Sequence, residues 1–197
     1  CYYIGNEHDA VLIDAGISCR ETERRLVRLG LSIKKVRAVF ITHEHTDHLD
    51  PWTLGPVAAA SPEAVVVLPE YCLPLVRDLL PSGRVITSRA DEPLRVKEVD
   101  IIPIPAAHDR LETTERGHRC QGYIVRLDGI TLCHTGDTIM YEGLPIRPDP
   151  AIWWKIVSDY RVTSMFSSPT AIRVLKKQDP AYMSKYDVKC LKYLFLA

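Results

Sequence analysis

A dense group of potential metal ligands occupies residues 43–48, which read HEHTDH. Three histidines and two acids within six residues are hard to explain by packing, because solvated loops seldom concentrate histidine in this way. His43 and His45 are two positions apart, so an extended strand end places both imidazoles on one side, whereas Asp47 and His48 can face a second ion. Imidazole and carboxylate suit Zn²⁺, with Mn²⁺ or iron as alternatives. The pattern therefore predicts a metal site, and the alternative is a polar loop with surface histidines.

The segments around these ligands alternate between apolar runs typical of strands and helical patterns. The predicted strands are residues 10–14, 36–42, 64–68, 85–87, 94–105, 122–127 and 130–134. The predicted helices are residues 20–31, 51–60 and 69–80. Residues 36–42 lead directly into His43, and Asp128-Gly129 marks a hairpin. Alternating strands and helices, followed by successive strands, predict a layered α/β architecture.

The composition of the 197-residue chain excludes several classes of protein. Hydrophobic residues make up 46% of the chain, which excludes wholesale disorder. Lys+Arg and Asp+Glu number 25 each, so the chain has no net positive charge that would attract a polyanion. No apolar run approaches the ~18 residues of a membrane span. Six scattered cysteines without a C-x-x-C pair predict thiols in a reducing compartment, hence a cytoplasmic location. The initial Cys1 and the apolar residues 194–197 predict truncation at both ends.

The segment HEHTDH matches in full the H-x-H-x-D-H signature of the metallo-β-lactamase superfamily, which residues 1–140 resemble. Three further stretches agree in order and spacing, namely residues 12–16 (LIDAG), 105–108 (PAAH) and 134–138 (HTGDT). The resemblance implies that Asp14 supports the metal loop and that His134 lies behind the ligands or is simply packed. It also implies a hydrolase with two divalent metal ions, zinc first, with manganese or iron as alternatives.

The resemblance further implies a set of six metal ligands. They are His43, His45 and His108 for the first ion, Asp47 and His48 for the second, and Asp137 as the bridge. Such a dinuclear site hydrolyses its substrate with a metal-activated hydroxide, and Asp47 is the catalytic residue that orients the water or carries its proton. The alternatives are an exposed His108 after a proline-rich strand end and an Asp137 that serves only its Gly-Asp turn. Glu44 is expected to face solvent.

The implied substrate is a small-molecule phosphoester or lactone-like ester, and the fold alone does not choose between them. His118 and Arg119 are candidate contacts to an anionic substrate group, with a solvated loop as the alternative. A basic run between Arg24 and Arg37 makes nucleic acid a second, weakly supported partner, because such a run is usually a solvated helix face. No membrane partner is expected.

One departure from the superfamily pattern concerns the second metal ion. The superfamily closes that site with a further histidine late in the domain, and no histidine follows His134 here. The second half of the sandwich, which covers the sheet, is missing from the pattern as well. The sequence therefore predicts a first metal site that is complete, a second that lacks its final His, and a core without one wall.

Residues 139–197 differ in character from the rest. Three prolines within residues 144–150 (LPIRPDP) predict a junction. Beyond it, helices are predicted at 151–160 and 169–177 and strands at 162–167 and 190–197. Residues 141–150 (YEGLPIRPDP), 153–155 (WWK) and 165–173 (MFSSPTAIR) resemble an internal stretch of acetyl/propionyl-CoA synthetases, which are adenylate-forming ligases. The phosphate loop of those enzymes does not occur in the chain, so no ligase activity is expected. The alternative is a helix–strand–helix cap native to the hydrolase.

The predicted fold class is α/β: an incomplete metallo-β-lactamase αββα sandwich at residues 1–140, followed by an α/β fragment of an adenylate-forming ligase at 141–197. Residues 1–50 resemble an exonuclease-like branch of the superfamily and residues 51–138 a branch of sugar-phosphate lactonases, which favours a recombined or misassembled reading frame. The sequence leaves two functions open. One is a metal-dependent hydrolase, and the other is a chimeric or truncated fragment that binds one metal ion with little or no catalysis.

Overall fold

The computed structural model describes residues 1–107, 111–136 and 149–196, and the chain divides into two compact units. Unit 1 comprises Cys1–Arg89 together with Thr114–Arg119, and unit 2 comprises Ala90–Thr113 together with Cys120–Ala197. Each unit contains its own β-sheet. Within the described ranges, no helix is long and apolar enough to cross a lipid bilayer.

Unit 1 is a five-stranded sheet with helices in its crossovers. Its strands are β1 (Tyr2–Gly5), β2 (Ala10–Ile13), β3 (Val36–Phe40), β4 (Val65–Pro69) and β5 (Val85–Ser88), in that order across the sheet. Its helices are α1 (Cys19–Arg28), α2 (Pro51–Ala60) and α3 (Leu73–Val76). β1 runs antiparallel to β2, and the other neighbours are parallel. Parallel strands are buried on both faces, which explains why β2 and β4 read as continuous apolar runs.

Helices α1 and α2 of unit 1 begin at side-chain caps and pack against the sheet. The hydroxyl of Ser18 accepts from the Glu21 N–H at 3.3 Å at the start of α1, and Asp50 accepts from the Trp52 N–H at 3.2 Å at the start of α2. Leu26 of α1 and Leu54 of α2 pack in the same buried cluster as the strands. These helices therefore hold the carboxyl ends of the parallel strands in register.

Unit 2 is a six-stranded mixed sheet. Across it lie β13 (Tyr193–Leu196), β12 (Ser164–Ser167), β11 (Ile130–His134), β10 (Cys120–Leu127), β7 (Val99–Ala106) and β6 (Leu94–Val96). A two-stranded ribbon, β8 (Thr113–Thr114) and β9 (Gly117–His118), precedes β10 in the chain. β6, β7, β10 and β11 are antiparallel neighbours, whereas β11, β12 and β13 are parallel. Its helices are α4 (Ile152–Tyr160), α5 (Pro169–Leu175) and α6 (Ala181–Ser184).

The C-terminal segment supplies a layer of unit 2. Trp153 and Val157 of α4 and Met165 of β12 pack in one buried cluster with Ile124 and Cys133 of the antiparallel strands. The same burial raises the pKa of the Cys133 thiol to about 12. The sheet thus has an apolar cover where the sequence led us to expect a missing wall.

Most predicted elements are confirmed, and two differ for identifiable reasons. The predicted helix at 69–80 is a single 3₁₀ turn followed by the four-residue α3, because Pro74 cannot donate a backbone hydrogen bond inside a longer helix. The predicted strand at 94–105 is two antiparallel strands, β6 and β7, joined through Lys97 at φ 53°. The Asp128-Gly129 hairpin is confirmed, with both residues at positive φ (49° and 74°).

The six cysteines all lie in described positions, and all are thiols, as predicted. The division of the chain near residue 140 concerns residues outside the described ranges and stays a prediction.

Candidate metal centre

The histidine-rich segment begins where strand β3 ends. Ile41 donates its N–H to the Val67 carbonyl at 2.8 Å, so the strand continues past Phe40 against its neighbour β4. The next two residues, Thr42 and His43, are buried. The chain then turns, and the His45 carbonyl accepts from the N–H groups of His48 at 2.9 Å and Leu49 at 2.7 Å. Strand β3 therefore positions His43, and the turn that follows positions the remaining ligand candidates.

His43 and His45 present one nitrogen each to the same small volume. Nε2 of His43 lies 3.1 Å from Nδ1 of His45, and the two ring centroids are 4.6 Å apart. Two nitrogens that bind one Zn²⁺ tetrahedrally at 2.0–2.1 Å lie about 3.4 Å from each other. The separation of the two nitrogens is close to this value, and the assignment of both residues as ligands stays a prediction.

Asp47 and His48 form a second pair of donors with matching separation. Oδ2 of Asp47 lies 3.5 Å from Nε2 of His48, and the His48 ring centroid is 4.1 Å from that of His43. The Asp47 side chain is 75% exposed and that of His48 only 12%. An exposed carboxylate beside an oriented imidazole can both bind a cation and exchange protons with water.

The carboxylate of Asp14 organises this segment from beneath. Its Oδ1 accepts from the Thr42 N–H at 2.8 Å and from the Thr42 hydroxyl at 2.9 Å, and its Oδ2 lies 2.7 Å from Nδ1 of His48. An ionised Asp14 carboxylate accepts a hydrogen bond from Nδ1–H of His48, and in a neutral His48 ring this leaves Nε2 as the nitrogen available to a metal ion. Asp14 itself is buried and has φ 64°, an uncommon backbone conformation that is typical of functional turns. This contact agrees with the predicted supporting role of Asp14.

The described residues hold pairs of ligands rather than a complete set. In residues 1–107, 111–136 and 149–196, no group of three or more His, Cys, Asp or Glu side chains is arranged to hold a metal ion. His108 and Asp137, the remaining predicted ligands, lie outside these ranges. Their assignment stays a prediction.

Glu44, expected to face solvent, is instead largely enclosed. Its side chain is 14% exposed, and its Oε1 pairs with both Nε and Nη2 of Arg119. The Arg119 guanidinium also lies over the Tyr71 ring, with Cζ 5.6 Å from the ring centroid. In a strand end that points His43 and His45 to one side, Glu44 points to the other, where the ribbon residue Arg119 meets it. The single sequence carries no signal for this pair.

The other predicted site residues have these placements. His118 lies in β9 at intermediate exposure, and Arg119 is committed to Glu44 and Tyr71. His134 is buried in unit 2, accepts the Gly136 N–H on Nδ1 at 3.1 Å and stacks with Phe166 at a centroid distance of 6.1 Å. These contacts suit a packed histidine, which was one of the two interpretations offered above.

Comparison with known proteins identifies a family for most of the chain. The model of the beta-lactamase superfamily domain matches residues 9–147. The metallo-beta-lactamase fold protein YhfI from Bacillus subtilis covers 98% of this chain and 68% of its own length, with a TM-score of 0.59 at 13% identity. Rm3 metallo-beta-lactamase covers 95% of this chain and 80% of its own length, with a TM-score of 0.54 at 15% identity. At these identities the likeness shows the fold, and it confirms the resemblance inferred from the sequence.

A second group of relatives matches about 30% of the chain. Propionate–CoA ligase of Salmonella typhimurium is 57% identical over 60 residues, which is 30% of this chain and 10% of that protein. Acetyl-coenzyme A synthetase of Wolinella succinogenes is 47% identical over 57 residues, which is 29% of this chain and 9% of that protein. The chain thus spans about a tenth of the length of these curated relatives. The resemblance to acetyl/propionyl-CoA synthetases is confirmed at that extent.

Proposed function

The chain belongs to the beta-lactamase superfamily and has the metallo-β-lactamase fold, and on this basis we propose that it is a metal-dependent hydrolase whose ligands include His43, His45, Asp47 and His48. The observation that carries the proposal is the 3.1 Å separation of Nε2 of His43 and Nδ1 of His45, which suits two ligands of one ion. His108 and Asp137 enter the proposal as ligands on the strength of the sequence pattern alone.

The metal would be zinc, with manganese or iron as alternatives, because the donors are imidazole nitrogens and a carboxylate. When bound, such ions supply Lewis acidity and lower the pKa of water. Thr42 and Asp14 orient the imidazoles of His43 and His48 through the contacts at Nδ1 of each ring, at 3.0 Å and 2.7 Å. The exposed carboxylate of Asp47 orients the attacking water and accepts its proton at Oδ2.

The proposed substrates are small-molecule phosphoesters or lactone-like esters. Hydrolysis of either develops negative charge on oxygen, which divalent ions held by His43, His45, Asp47 and His48 would stabilise. Nucleic acid is a weaker proposal, since Arg24 and Arg25 share Glu21 and Arg37 pairs with Asp9, which offsets part of the positive charge of this run. Small-molecule substrates therefore come first.

A second candidate function is supported by the ligand pattern. The chain has no histidine after His134 to close a second metal site, which favours a protein that binds one metal ion with little or no catalysis. The matches to about a tenth of the CoA ligases support the accompanying hypothesis of a recombined reading frame, and we propose no ligase activity. Sequencing a contiguous source clone tests that hypothesis, because a single transcribed gene with continuing flanks would contradict it.

Elemental analysis of the purified protein separates the two functions. We expect about two ions per chain in the parent protein and a loss of metal in the His43→Ala/His45→Ala variant. His8→Ala is the matched control, because His8 is exposed and lies outside the ligand segment. Two ions would justify a screen of phosphodiesters and lactones. One ion that depends on His43 and His45 supports the non-catalytic alternative, and metal content equal in all three proteins would contradict both.

A further inference from the structure

Gly16 closes the turn after strand β2 and touches the backbone of Asp47. A β-carbon placed on Gly16 would lie 1.7 Å from the Asp47 carbonyl oxygen, 1.9 Å from its carbonyl carbon and 2.5 Å from its Cα. Real β-carbons essentially never approach other heavy atoms within 3.0 Å. Because all three neighbours are backbone atoms, no side-chain rotation can relieve the overlap.

Steric room, rather than backbone conformation, is what this position requires. Gly30, Gly117, Gly129 and Gly136 have positive φ angles, which favour glycine in their own right. Gly16 is not among the residues at positive φ, so an L-residue could adopt its backbone angles. The contact with Asp47 alone therefore demands glycine here.

The turn that contains Gly16 is joined to the metal-ligand segment at every one of its residues. Ala15 donates its N–H to the His48 carbonyl at 2.7 Å and forms a parallel bridge with Leu49. Asp14 contacts Nδ1 of His48, as described above. Backbone hydrogen bonds, one side-chain contact and one close backbone approach thus fix residues 47–49 against residues 14–16.

The two halves of the ligand segment consequently have different supports. His43 extends strand β3, which the Ile41–Val67 hydrogen bond holds in the sheet. The turn at residues 14–16 supports Asp47 and His48 directly, and it reaches His43 only through Asp14 and Thr42. A change at Gly16 therefore acts first on Asp47 and His48, whereas His43 is also held by strand β3.

We propose that Gly16 is a positioning residue that sets where Asp47 and His48 stand relative to His43, through direct backbone contact with Asp47. For its consequence on metal binding this inference rests on the proposed function. Gly16→Ala moves the Asp47 peptide outward and carries the His48 ring with it. The donor pair of Asp47 and His48 then loses its alignment.

The experiment compares Gly16→Ala with Gly83→Ala in the full chain. A β-carbon on Gly83 meets no atom within 4 Å, so this control makes the same change to the unfolded chain without a clash. The first readout is the imidazole NMR spectrum of the metal-free protein, in which we expect the His48 signals to shift in Gly16→Ala and those of His8 to stay. The second is Zn²⁺ titration, in which we expect at least tenfold weaker binding in Gly16→Ala and none of this loss in Gly83→Ala.

The two readouts separate this inference from the proposed function. A parent protein that binds none of Zn²⁺, Mn²⁺ and Fe²⁺ contradicts the proposed function, and the His48 signals then test the role of Gly16 alone. Unchanged His48 signals in Gly16→Ala, or Zn²⁺ binding equal to that of Gly83→Ala, overturn the inference. If Gly16→Ala fails to fold where Gly83→Ala folds, amide hydrogen exchange of the parent protein decides. Slow exchange of the Ala15 N–H, which donates to the His48 carbonyl, supports a fixed contact between residues 14–16 and residues 47–49, and exchange as fast as that of an exposed amide contradicts it.

Discussion

Glu44 and Arg119 are separated by 75 positions in the sequence and form an ion pair at the proposed ligand loop, residues 43–48. Two nitrogens of the guanidinium contact one carboxylate oxygen, and the Tyr71 ring lies beneath the cation. Because Glu44 stands between His43 and His45, the pair stabilises the backbone that carries both rings. Arg119 is thereby a structural partner of the loop in this structure.

Removal of the guanidinium tests that role. We expect Arg119→Ala to lower the free energy of unfolding by about 1–3 kcal/mol, because a largely enclosed carboxylate loses its charged partner. Urea denaturation measures the change, and Arg116→Ala, at an exposed position of the same ribbon, is expected to change it by less than about 0.5 kcal/mol. Unchanged stability together with a raised KM for an anionic substrate would instead support the substrate-binding role predicted from the sequence.

The Asp14 carboxylate gives a second prediction. Asp14→Ala leaves the Thr42 N–H and Nδ1 of His48 without their acceptor, so we expect a loss of about 2–3 kcal/mol in unfolding free energy. Asp14→Asn should lose less, because asparagine tolerates the φ of 64° and retains one acceptor oxygen. Asp9→Ala, which removes a partly exposed pair with Arg37, is the control and should cost less than about 1 kcal/mol. Equal losses at positions 9 and 14 would argue against an organising role for Asp14.

Cys133 predicts a pH dependence of stability. Burial raises the pKa of its thiol from 9.0 to about 12, so both folded and unfolded states keep the proton below pH 9. Above pH 9 the unfolded state loses the proton first, and the free energy of unfolding falls by about 1 kcal/mol by pH 10. The contribution of the Cys133 thiol to this fall is measured by comparing the free energy of unfolding of the parent with that of Cys133→Val at pH 7 and pH 10. If the free energy of unfolding falls equally with pH in both proteins, other groups cause the loss of stability.

The apolar cover of unit 2 gives a fourth prediction. Trp153 of α4 is buried against the antiparallel strands, so Trp153→Ala should lower the free energy of unfolding by about 3–5 kcal/mol. Met183→Ala, at an exposed position of α6, should change it by less than about 0.5 kcal/mol. A Trp153→Ala protein as stable as the Met183→Ala control would mean that residues 149–196 do not contribute to this core.

Local signals explain what the sequence could predict. The bounds of α2, Pro51–Ala60, are confirmed because Asp50 caps its first turn and Pro51 suits it. Strand β11 is confirmed at Ile130–His134 because the Asp128-Gly129 turn fixes its register with β10. The ligand segment was identifiable because several metal-binding residue types are adjacent in the sequence.

Pairings between distant residues explain what the sequence could not predict. The parallel alignment of β12 with β11 joins Met165 to Cys133 across a long connection, and no local pattern specifies such a partner. The same holds for Glu44 with Arg119 and for the backbone contact of Gly16 with Asp47. In each case the residue's partner is fixed by tertiary structure, and no local pattern in the sequence indicates which residue that partner is.

Unit 1 is assembled from two separated stretches, residues 1–89 and 114–119. A growing chain emerges from the ribosome with its N-terminal residues first, so the sheet of unit 1 can form before Arg119 has been synthesised. The loop closed by Glu44 and Arg119 then forms at a small additional entropic cost, because that cost rises only slowly with length. The loop at residues 43–48 can therefore gain its contact with Arg119 only after residue 119 has been synthesised.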